Sequence, residues 1–128
     1  MSKFEYNGEF EFKASKKMLY PYLSTASGLA QWFADDVNIN EDKILTIIWD
    51  GEENKAKMVA HRVNSLVKIE FMPEDDDDPN WVEFRLEMNE LTQAVFIHVT
   101  DYSEMDDIDE LGELWENLMH NLKEIVGG

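Results

Sequence analysis

From Ser103 to about Val126 the chain carries one long amphipathic helical pattern, and that pattern constrains the fold more than any other stretch. Ile108, Leu111, Trp115, Leu118, Leu122 and Ile125 recur at steps of three and four, which builds a single apolar face. Leu114, Met119 and Val126 widen it. Ser103 with Asp106 predicts a capping box. Glu104, Asp106, Asp107, Asp109 and Glu110 crowd the positive end of the helix dipole, and Lys123 sits near the negative end. Gly127–Gly128 predicts the stop. At 1.5 Å per residue such a helix is about 33 Å long, and only a broad sheet offers it a matching apolar surface. Gly112, one turn before Trp115, predicts a close approach of the helix or room for a neighbouring side chain.

The preceding residues supply that sheet. "KFEYNGEFEFK" (Lys3–Lys13) alternates, with Phe4, Tyr6, Phe10 and Phe12 on one face and Glu5, Asn7, Glu9 and Glu11 on the other. Gly8 falls on the apolar face and marks a bulge or a close approach. In Ser15–Phe33, Ser15 predicts an N-cap, and Pro21 predicts a short or kinked first helix. Ser24 or Thr25 caps a second short helix that ends near Trp32–Phe33. From Asp36 to Thr100 the chain reads as strands. "KILTIIWDG" reaches Asp50–Gly51, a hairpin signal. "NKAKMVAHRV" places Ala56, Met58 and Ala60 on one side. "LVKIEFM" places Val67, Ile69 and Phe71 together. "PEDDDDPN" repels itself and reads as a solvated loop. "WVEFRLEM" points Val82, Phe84, Leu86 and Met88 inward, and "QAVFIHVTDY" is apolar on both faces, as a central or doubly covered strand would be. The order is strand, two short helices, about five or six strands, long helix. That order predicts an α+β fold in which a curved antiparallel sheet wraps the last helix. With 128 residues, no repeat and no linker, it forms one domain over residues 1–128.

Charge and composition exclude several functions. The formal net charge is −17. Residues 1–64 contribute −2 and residues 65–128 contribute −15. Nucleic acid is an unsuitable partner because a phosphate backbone selects Lys and Arg, and an anionic membrane surface is excluded on the same ground. An acidic coat for solubility is the plain reading, with a basic protein partner as the alternative. The absence of cysteine excludes disulfides and thiolate chemistry. No stretch suits a secretory signal or a transmembrane span, so a cytoplasmic monomer is expected.

Two stretches carry a resemblance. "SGLAQWFADDV" (Ser27–Val37) looks like a signature of the START-like superfamily, also called the birch-pollen-allergen or polyketide-cyclase superfamily, whose fold is the helix grip. "LWENLMHNLKEIVG" (Leu114–Gly127) resembles the C-terminal helix of the branch related to activators of a heat-shock-chaperone ATPase. With "IIWDG" and the acidic loop before "FRLEM", the chain is similar to a START-like group found in Bacteroidetes bacteria. The resemblance spans essentially the whole chain and implies a cavity beneath the last helix. It implies three functions: binding of lipids, hormones or polyketides, chaperone cofactor activity, or, more rarely, catalysis.

The side chains suited to such a cavity are Trp32, Phe33, Trp49, Met58, Phe71, Phe84, Met88, Phe96, Trp115 and Met119, since aromatic rings give flat apolar walls and methionine adapts. The same residues also suit a plain filled core. Trp32, Phe33, Trp115 and Met119 are expected at the mouth and roof. His98 is placed with them as a ligand hydrogen-bonding group, or as the base of a cyclase or dehydratase, against the plainer reading of a histidine satisfied by core or edge polar groups. His120 is expected at the border of the helix's buried face. His61, His98 and His120 have no metal-ligand spacing, and "EDDDD" and "DDIDE" lack the calcium-loop pattern. No metal or cofactor is implied. The leading expectation is noncatalytic binding of a small hydrophobic ligand, which predicts an open apolar pocket. The alternative is a protein-interaction module, which predicts a filled core and salt-dependent association.

Overall fold

In a computed structural model that describes residues 3–72, 79–104 and 106–127, the chain folds as one sheet around one helix. The strands are β1 (Phe4–Phe12), β2 (Asp36–Ile39), β3 (Leu45–Trp49), β4 (Glu52–Arg62), β5 (Leu66–Phe71), β6 (Trp81–Met88) and β7 (Val95–Ser103). Helices α1 (Lys16–Ser24) and α2 (Ala26–Leu29) follow β1, and α3 (Ile108–Val126) ends the fold. The described strands form a single antiparallel sheet in the order β1-β7-β6-β5-β4-β3-β2. This is the predicted helix-grip architecture.

The period-two alternation sets the two sheet faces. Phe12, Ile47, Ile69, Phe84, Ile97 and Val99 point inward and are almost fully buried. The β3–β4 hairpin turns at Asp50 (φ 50°) and Gly51 (φ 80°), the paired positive angles that a two-residue hairpin demands. One register differs from the alternation. A bulge between Met58 and Ala60 pairs Met58 with Ile69 but His61 with Val67. Beyond the bulge, therefore, Ala60 leaves the face shared by Ala56 and Met58. Strand β7 lies between β1 and β6, next to the edge, with one face covered. Met88 points inward in register but stands 47% exposed at the strand end. The acidic run of residues 74–78 lies outside the described residues.

The helical corner is sharp. Ser15 accepts from the Met18 N–H and caps α1, as predicted. The extended backbone of Thr25 breaks the path, and its hydroxyl accepts from the Gly28 N–H to start α2. A Cβ at Gly28 would lie 2.2 Å from the Pro21 carbonyl oxygen, so only glycine fits where α2 closes on α1. At Gly8, β1 pairs continuously with β7, with no bulge, and the flexible Tyr6 side chain leans over the glycine.

Helix α3 starts later than its sequence pattern predicts. Ser103 ends β7, and Asp107 is the N-cap, accepting from the Glu110 N–H at 3.1 Å. The helix is consequently about 28 Å long. Its buried stripe is Leu111, Trp115, Met119 and Leu122, while Ile108 and Leu114 are exposed. Helix α3 lies along β1 in the same direction. Gly112 stands near Tyr6, and Lys123 lies over the Phe12 ring. Gly127 closes the helix in the left-handed conformation.

The two helical glycines make opposite predictions. Gly28→Ala should destabilise the fold by about 2–4 kcal/mol, because the clash is with backbone. At Gly112 a Cβ meets only Tyr6 Cε1 at 3.9 Å, so Gly112→Ala should gain up to about 1 kcal/mol of helix propensity. Urea unfolding midpoints for both variants measure the two signs directly.

Candidate functional site

A cavity of about 840 Å³ opens between α3, the sheet and the segment after α2. Trp32, Phe33, Trp49, Phe71 and Trp115 give it aromatic walls, and Leu111, Leu114 and Leu118 form the helix side. Phe33 sits at the centre of the cluster. Its ring centroid lies 5.4 Å from that of Trp32, 5.2 Å from Trp49 and 6.1 Å from both Phe84 and Trp115. Most of these pairs are tilted or edge-to-face, the arrangements the ring quadrupole favours.

The walls are held by main-chain bonds. The Trp32 indole N–H donates to the Tyr22 carbonyl at 2.8 Å, and the Trp49 indole N–H donates to the Phe33 carbonyl at 2.9 Å. The Asp35 amide donates to the Ile48 carbonyl, and the Asp35 carboxylate accepts from the Asp50 amide at 2.8 Å. Residues 33–35 are thereby clamped to the end of β3. The corner at Gly28 and Pro21 leads directly into this wall.

One carboxyl is recessed in the cavity. Asp101 continues the inward parity of Val95, Ile97 and Val99 to the end of β7, where it lines the space beside Trp115. The Trp115 indole N–H donates to Asp101 Oδ2 at 2.8 Å. Burial holds the Asp101 carboxyl above its ordinary value, against the lowering effect of hydrogen bonds from Trp115 and Ser103. Tyr6, paired with Asp101 in the β1–β7 register, is also raised, first by burial and then by the charges of Glu116 and Asp101. At the rim, Lys3 donates to Asn80 Oδ1 and pairs with Glu104 at 3.3 Å.

The sequence expectations divide clearly. Trp32, Phe33, Trp49, Phe71 and Trp115 line the cavity. Phe84 and Met119 are buried behind the lining, with Phe84 packed edge-on to Trp32 and Trp115. Met58 packs partly buried against the core, away from the cavity wall. Phe96 and His98 are corrections. Both occupy the opposite parity of β7 and lie on the outer face of the sheet. There His98 contacts Asn7 Oδ1 at 3.2 Å and Glu9 at 3.8 Å. The cyclase or dehydratase expectation named His98 as its base, and that group faces away from the cavity. His120 is likewise exposed, paired with Glu124 on the outside of α3. Asp101, Lys3 and Trp81 are lining residues outside the predicted set. The signal for Asp101 is its place two residues beyond Val99 on an inward-facing strand.

The comparisons with known proteins agree with this fold. The family model for a START-like superfamily domain matches residues 1–128. The chain belongs to the START-like superfamily. Among solved structures, BfR322 from Bacteroides fragilis is 34% identical, with a TM-score of 0.65 over 98% of this chain and 92% of that one. The Aha1 dimer from Colwellia psychrerythraea is 19% identical, with a TM-score of 0.77 over 96% of each chain. MLL2253 from Mesorhizobium loti is 12% identical, with a TM-score of 0.77 over 97% of each. The last two likenesses show a shared START-like fold. Among curated proteins, none matches the chain. No helix among the described residues is long and apolar enough to cross a membrane.

The recessed acid makes a stability prediction. Asp101 binds its proton more tightly folded than unfolded, so its contribution is fully present below the ordinary carboxyl value of 3.8 and is lost as pH rises through the raised folded value. Asp101→Asn removes the buried charge and keeps an acceptor for Trp115. The variant should melt roughly 2–4 °C higher than the parent at pH 7. The difference should shrink toward zero below pH 4, and a gap that stays constant with pH would refute a charge origin.

Proposed function

We propose that this START-like domain binds a small hydrophobic molecule, lipid-like or polycyclic, in the cavity between the sheet and α3, without chemistry on it. The observation that carries this reading is an open, mainly apolar space walled by six aromatic side chains. The volume falls in the range of about 300–1,000 Å³ common for small-molecule sites. Indoles tied to main-chain carbonyls keep the walls in place before a ligand arrives, which lowers the ordering entropy that binding would otherwise require.

The chain has four tryptophans, and Trp32, Trp49, Trp81 and Trp115 all border this cavity. Tryptophan emission, excited selectively over the tyrosines, therefore reports on the site. Titration with sterols, fatty acids and flavonoids should give a saturable change in emission for the class that binds. The same class should raise the melting temperature, since a ligand at a hundred times its Kd adds about 2.7 kcal/mol to the folded state. Leu114→Arg places a cation at the mouth on a residue that is 44% exposed. It should weaken binding by at least about tenfold while shifting stability by no more than about 0.5 kcal/mol, the usual limit for surface changes. A full set of probes that moves neither signal would sink the binding reading.

A second reading, a protein-interaction module, is favoured by the −15 charge of residues 65–128. A basic partner held by that charge would bind in low salt and release as ionic strength shortens the Debye length. A pull-down at low and high salt separates it from cavity binding, which is indifferent to salt for a neutral ligand.

A further inference from the structure

We infer that the cavity selects a lipophilic amine: a flat apolar cation whose ammonium group meets the Asp101 carboxylate. This inference rests on the cavity-binding reading and adds the polarity of the ligand. Asp101 is recessed among aromatic side chains, yet the partners the structure gives it, Trp115 and Ser103, are both neutral donors. A carboxylate offers about four acceptor positions, and those two donors leave room for more. The ionisable side chains lining the cavity among the described residues are Lys3, Asp35, Asp101 and Glu104. Lys3 is already engaged by Asn80 and Glu104, so the remaining charge of the site is negative.

Three physical effects then act in the same direction. The Asp101 carboxylate supplies a charge-assisted hydrogen bond in surroundings of low dielectric. Trp115, Phe33 and Trp49 surround the space with π-systems that attract an organic cation, with tryptophan the strongest of the aromatic residues. The net charge of −17 draws cations toward the whole molecule. An anionic ligand meets the reverse of each effect, and a neutral one gains only burial. The raised proton affinity of Asp101 is consistent, because burial disfavours its charge and its hydrogen-bond partners among the described residues are neutral.

The test is a matched series: naphthylethylamine, the corresponding alcohol and the corresponding carboxylic acid, each titrated by calorimetry into the full chain at pH 7. The amine should bind about tenfold to a hundredfold more tightly than the alcohol, the range a hydrogen bond to a charged group supplies, and the acid should bind most weakly. In Asp101→Asn the amine-to-alcohol ratio should fall to about one. Glu90→Gln, an equal charge change in the turn between β6 and β7, should keep it. An alcohol that binds as tightly as the amine to the unmodified protein overturns the inference and leaves cavity binding standing. A preference that survives Asp101→Asn overturns it as well, by assigning the effect to overall charge. If none of the three probes binds, the amine inference falls, and the titrations with sterols, fatty acids and flavonoids decide the broader reading separately.

Discussion

The indole of Trp115 joins the two halves of this molecule. Its ring packs against Phe33 and Phe84, and its N–H holds Asp101. A helix laid on a sheet by apolar contact alone can slide, because hydrophobic attraction has no direction. The hydrogen bond to Asp101 fixes rotation and register together. It also satisfies an indole that would otherwise be buried without a partner, at a cost of about 1–3 kcal/mol. The cavity depends on this junction, since Trp115 and Asp101 both line it.

Much of the fold was legible because its determinants are periodic. Alternation assigned Phe4, Tyr6, Phe10 and Phe12 to one face of β1, and the Asp50–Gly51 pair marked the β3–β4 hairpin. Thr25 marked the helical break, while Pro21, read as shortening or kinking the first helix, lies inside α1, which runs on to Ser24. The misreadings arise where local pattern and tertiary context diverge. Ser103 and Asp106 satisfy a capping pattern, but pairing of β7 with β1 extends the strand through Ser103 and leaves the cap to Asp107. A one-residue bulge after Met58 is invisible to alternation, which continues unbroken through Ala60.

The site was legible in its walls and not in its floor. Large aromatic residues announce either a packed core or a lined space, and the sequence does not contain the distance between sheet and helix that decides between them. Parity along β7 did contain the answer for His98 and Asp101. Val95, Ile97 and Val99 face inward, so Asp101 shares their side and His98 does not. The strand reads as apolar on both faces because Phe96 stands among polar neighbours on the outer side, and this hid the parity.

The walls of the cavity differ in how they are attached. Trp32 and Trp49 hang from the carbonyls of Tyr22 and Phe33, and the backbone around them is braced by Asp35 and by the tight corner at Gly28. Leu114 and Leu118, on the helix side, have no such anchorage, and their backbone groups are already satisfied within α3. Substitutions there reshape the space without moving the indoles. Change in the shape of the cavity therefore has an open route through one turn of α3 and a blocked one through the loop wall. The scaffold can change what it accommodates while its frame stays fixed.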